Sequence, residues 1–105
     1  MRRIEAEELV VVHCRNPRQR LWGVLLRLDA VGIMMRGLDI NSVEDWLRQE
    51  IAGTERLVGP STVLIPAHRI EQVSLDEASG GAPGIGERLK AACGADAHDR
   101  LLEQE

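Results

Sequence analysis

The sequence predicts a mainly β fold: a five-stranded, strongly bent small barrel with an inserted helix and a short helical tail at its C-terminal end. Three observations carry this. Apolar residues alternate with period two over several short stretches before residue 39. The period changes to 3.6 after Asn41. Finally, the β-rich run 62–65 meets Pro66 and resumes at Ile70 and Val73. Proline has a fixed φ and no N–H, so a regular ladder cannot run straight through it. Two short strands around a corner fit the pattern, and such corners close small barrels.

The elements follow in order. Residues 8–15 read as a strand with Val10, Val12 and Cys14 on one face and Leu9, Val11 and His13 on the other. Residues 16–20 form a polar turn, with Asn16 and Pro17 suited to it. Residues 21–29 are a second strand, apolar on both faces and therefore buried on both. Gly23 within it marks a bend or a close backbone approach. A tight connection through Gly32 leads to a third strand, 33–38, with Ile33 and Met35 opposite Met34 and Leu38.

The helix at 42–51 carries Val43, Trp46, Leu47 and Ile51 as its apolar stripe. Asn41 with Glu44 resembles a capping box, and Gly53 supplies the stop. After the corner strands, residues 79–84 are rich in Gly and break the chain. The organisation is thus a barrel over 1–77 with its inserted helix, a flexible linker over 78–86 and a helical tail over 87–105. In that tail Leu89, Ala92, Leu101 and Leu102 are the residues able to pack.

The 105 residues suffice for one domain with a modest core, and self-association is a natural supplement at this size. No apolar run approaches the length of a membrane span. The N-terminal Arg2 and Arg3 are followed by acids where a signal peptide needs an apolar stretch, so a cytoplasmic location is expected. Cys14 and Cys93 lack any paired spacing, which indicates a reducing compartment rather than a disulfide framework. The net charge of −4 argues against broad electrostatic binding to nucleic acid. There are two Trp and no Phe or Tyr, so stacking platforms for bases are scarce.

The stretch 22–33, with Trp22, Gly23, Asp29 and Ile33, resembles the first motif of the Sm-like family, in which a Gly lets the second strand bend and an Asp occupies the turn. The stretch 65–73, with Ile65, His68, Ile70 and Val73, resembles the second. The likeness spans roughly 10–75 and implies a bent five-stranded barrel, of the Sm-like or SH3-like kind, that assembles into a ring. It departs from the family at the RNA pocket. Ile33 or Met34 stands where an Asn helps hold a uracil, and Pro66 and Ala67 replace an Arg-Gly pair. His68 is reminiscent of a pocket His of the bacterial RNA-chaperone branch.

Two clusters are candidates for ligand or RNA binding. His68 and Arg69 sit on the corner, where they suit a phosphate or a base edge. Arg15, Arg18 and Arg20 surround the first turn with Asn16 and Gln19. The bland alternative for each is a solvated turn. Gly23, Asp29, Gly32, Trp46 and Pro66 read as structural, Asp29 as a turn-capping carboxylate and Trp46 as a core anchor. Metal-ligand spacing is absent, since His13, Cys14, His68, Cys93 and His98 form no paired motif, and no cofactor is implied. No nucleophile triad or Gly-rich phosphate loop is present. The expected function is therefore a non-enzymatic scaffold that forms a homo-oligomer. RNA binding at the His68 and Arg69 corner is the first alternative, and an adaptor that docks a protein through the inserted helix is the second.

Overall fold

The computed structural model of the chain describes residues 3–104. Arg2 and the last residue of the tail, position 105, lie outside the described residues. The mainly β class holds. Five antiparallel strands form one open sheet, β1 (Leu9–Cys14), β2 (Gln19–Leu28), β3 (Gly32–Asp39), β4 (Ser61–Pro66) and β5 (Ile70–Leu75). Three helices accompany it, α1 (Val43–Ala52), α2 (Ile85–Cys93) and α3 (Ala97–Glu103). The spatial order is β4-β3-β2-β1-β5. The two edge strands, β4 and β5, are consecutive in sequence and joined only by the 3-10 turn Ala67–Arg69. A connection that short brings opposite ends of the order together only because the sheet bends strongly along its length.

Period-two patterning sends side chains to two separate cores. Val10, Val12, Cys14, Leu25, Ile33, Met35 and Ile65 pack together on one face. Trp22, Val24 and Leu38 point to the other face, where Val43, Trp46 and Leu47 of α1, Leu89 of α2 and Leu101 of α3 cover them. This explains why β2 is apolar on both sides. Its register against β3 shifts between Leu25 and Arg27, so one extra residue is accommodated there.

Gly23, Gly32 and Gly37 are required by close approach. A Cβ on Gly23 would stand 2.2 Å from the Arg36 carbonyl oxygen, and one on Gly32 would stand 2.0 Å from that of Ile65. Both strand crossings thus need the bare backbone. Asp29 Oδ1 accepts from the backbone N–H of Val31 at 2.9 Å and of Gly32 at 3.4 Å, and Oδ2 meets Arg27 at 3.1 Å, which fixes the β2–β3 turn.

The helical region differs from the sequence reading in detail. A 3-10 turn, Ile40–Ser42, precedes α1, and Asp39 rather than Asn41 caps it, its Oδ1 accepting from the Asn41 N–H at 2.9 Å. Ser42 is the N-cap of α1 and makes no side-chain cap bond. The buried stripe runs through Val43, Trp46, Leu47 and Glu50, whereas Ile51 is exposed. These positions are i, i+3, i+4 and i+7, and Ile51, at i+8 in the last turn, lies at the margin of the stripe where nothing covers it.

The C-terminal tail is docked, not trailing. Leu89, Ala97 and Leu101 are buried, while Ala92 and Leu102 face solvent. Asp76 ties the start of α2 to the sheet: its side chain accepts from Ile85 N at 2.7 Å, Gly86 N at 2.8 Å and Trp22 Nε1 at 3.1 Å. No helix among the described residues is long and apolar enough to cross a membrane.

Candidate functional site

The fold brings the two sequence clusters together. β5 starts beside the end of β1, so the Ala67–Arg69 corner lies against the β1–β2 turn. Arg15 N donates to the Arg69 carbonyl at 2.8 Å, and Arg15 Nε donates to the His68 carbonyl at 3.0 Å. In return Arg69 Nε donates to the Arg15 carbonyl at 3.3 Å, and its guanidinium also reaches the Pro17 carbonyl at 3.2 Å and Gln19 Oε1 at 3.5 Å. Arg15 and Arg69 thus clasp turn to corner through main-chain carbonyls. The His68 side chain is exposed.

Arg18 and Arg20 are exposed, and neither makes a side-chain hydrogen bond or ion pair. Most other arginines are neutralised. Among the described residues, Arg27 meets Asp29, Arg48 meets Asp45, Arg56 and Arg100 meet Glu50, and Arg88 meets Glu44. Arg15, Arg18, Arg20 and Arg69 lack a carboxylate partner and occupy one surface of a chain whose net charge is −4.

A cleft of about 440 Å³ opens beside this surface, lined by His13, Cys14, Arg18, Gln19, Arg20, Asp39, Ile40, Asn41 and Glu71. His13 lies directly across from Arg20 on one side and Gln72 on the other. Asp39 is held in the wall, since Oδ2 accepts from Gln19 Nε2 at 3.4 Å and Oδ1 from the Asn41 N–H. Burial raises the Cys14 thiol above its usual range, and the Arg69 charge opposes that rise. Gln19 belongs to the turn cluster the sequence already groups, and Asn41 reads there as a helix cap, whereas Glu71 comes beside the arginines only through the sheet register.

A second polar centre was invisible to spacing. Glu50 has a side chain only 1% exposed and receives Arg100 at 2.8 Å and Arg56 at 3.2 Å. Gln104 donates to the same carboxylate at 3.1 Å and its Oε1 accepts from Trp46 Nε1 at 3.2 Å. Burial works to raise the Glu50 carboxyl, but hydrogen bonds from Arg56, Arg100 and Gln49 outweigh it and hold it below the usual range. Arg36 bonds the Leu101 carbonyl at 3.2 Å and the Gln104 carbonyl as well. All these contacts fasten α3 and the residue after it to α1 and β3. Asp96, His98 and Asp99 lie close together at the start of α3, where Asp96 is already spent capping the helix through the Asp99 N–H.

Gly23, Gly32, Asp29 and Trp46 sit in turns, crossings and the helix-side core, while Pro66 opens the Ala67–Arg69 corner. Comparison with protein-family models, with curated proteins and with solved structures finds nothing that matches this chain.

Proposed function

We propose that the chain is a non-enzymatic scaffold of the Sm-like or SH3-like small-barrel kind, which assembles with copies of itself into a ring by pairing β4 of one copy with β5 of the next. The observation that carries this reading is the strand order. Each copy presents two edges of one bent sheet, β4 and β5, and both run beside a single neighbour only. Unpaired edges are templates for another strand. An interface that joins unlike edges is heterologous and closes into a ring when the rotation allows. The exposed Leu64, on β4, adds apolar area to one edge. Edges alone support the assembly, because Trp22 and Val24 of β2 meet the chain's own helices and leave no surplus core for a neighbour. Two free thiols, Cys14 buried and Cys93 exposed, suit a cytoplasmic setting. Sedimentation of the purified chain, alone and as Leu64→Lys, tests the reading: wild type sediments as an oligomer and the variant as a smaller species.

A second reading is RNA binding at the His68 and Arg69 corner. It is favoured by the exposed His68 beside Arg15 and Arg69. Against it, Arg69 directs its donors at Pro17, Arg15 and Gln19. Against the adaptor reading, the apolar residues Val43, Trp46 and Leu47 of α1 are buried within the chain.

A further inference from the structure

We infer that the β1–β2 turn is a docking surface for the phosphate backbone of B-form duplex DNA, contacted without base specificity. This does not depend on the edge-paired assembly, although joined copies would add avidity. The starting point is the distribution of unneutralised charge. Arg15, Arg18, Arg20 and Arg69 converge on one turn, and no carboxylate pairs any of them. Two of the four, Arg18 and Arg20, have wholly uncommitted side chains. Placing guanidinium groups together costs mutual repulsion, which a polyanion relieves.

The surroundings select the polyanion. Single strands are held by stacking bases on aromatic rings. The two aromatic side chains, Trp22 and Trp46, are both fully buried, so the surface offers backbone contacts alone. A membrane surface needs apolar side chains beside the basic ones. The exposed large apolar residues are Ile4, Leu28, Val31, Ile51, Leu57, Leu64 and Leu102, and none lies on this turn. Residues 15–18 are all exposed and protrude as a turn. Arginine on such a projection suits the minor groove of B-DNA, where it can be held between the phosphates without base-specific contacts. The shallow minor groove of duplex RNA offers less. Two carboxylates oppose the contact. Asp39 is held by Gln19 and the Asn41 N–H, but Glu71 is exposed on the cleft wall and repels phosphate.

The test is a fluorescence-anisotropy titration of the full chain with a labelled mixed-sequence DNA duplex across roughly 50 to 200 mM salt. Four cations set the ceiling for the slope of log affinity against log salt at about −3.6. The expected result is binding in the micromolar range at low salt, indifferent to duplex sequence and steeply salt-dependent. Arg18→Ala with Arg20→Ala should weaken binding and flatten the slope by about 2, with an unchanged circular-dichroism spectrum. Glu71→Gln should tighten binding. Three results would overturn the inference: no binding at low salt, equal affinity for single strands or duplex RNA, or a double variant that binds as wild type does. If the double variant instead loses self-association while neither protein binds DNA, the turn contacts a second copy and the inference fails.

Discussion

The indole rings of Trp22 and Trp46 stand with centroids 5.4 Å apart and planes inclined at 55°. This tilted pair joins the sheet to the inserted helix. Trp46 also binds the C-terminal segment directly, its N–H donating to Gln104, and Trp22 does so through Asp76, which accepts both the Trp22 N–H and the first N–H groups of α2. The tail is therefore part of the domain's core. Trp46→Ala should destabilise the chain by about 3–5 kcal/mol in a denaturant melt. A loss below about 1 kcal/mol would show that α1 lies on the surface without anchoring it.

The Glu50 carboxyl makes the fold acid-sensitive in a defined direction. Its folded pKa lies below its unfolded value of about 4.3. Unfolding therefore takes up a proton between the two values, and acid favours the unfolded chain. The stabilisation is fully present above about pH 4.3 and is lost as pH falls through the folded pKa. Glu50→Gln should cost about 1–3 kcal/mol at neutral pH, because Arg56 and Arg100 lose their carboxylate. The variant should also lose less stability in acid than wild type does. Parallel stability–pH curves for the two proteins would contradict this.

Tight, base-specific binding to uridine-rich RNA should be absent at physiological salt. The chain is net acidic at −4, so charge alone gives only weak affinity that carries no base specificity. Ile33 is fully buried in the concave core and offers no base-edge hydrogen bond. A fluorescence titration with short U-rich and A-rich RNAs checks this. A dissociation constant well below the micromolar range, abolished by His68→Ala, would promote the RNA reading.

Strands were legible where one local pattern decided the outcome. Val10, Val12 and Cys14 share a face because alternation is set by the strand itself, and Pro66 ends β4 for reasons internal to proline. What stayed hidden depends on partners distant in sequence. Glu50 reads as one more helix acid until Arg100 and Gln104 arrive from 50 and 54 residues away. Likewise Arg15 and His68, 53 residues apart, become neighbours only through the β1–β5 pairing. The thin apolar stripes of α2 and α3 gave no measure of how deeply Leu89 and Leu101 would be buried. That depth is set by the Trp22 and Trp46 surface waiting for them.

Edge-paired assembly is the central claim, and sedimentation equilibrium tests it most directly. At tens of micromolar, within the range where specific interfaces hold, the wild-type chain should be an oligomer of defined size, and Leu64→Lys should shift it toward monomer while leaving the fold intact. A wild-type chain that sediments as a monomer would contradict the account.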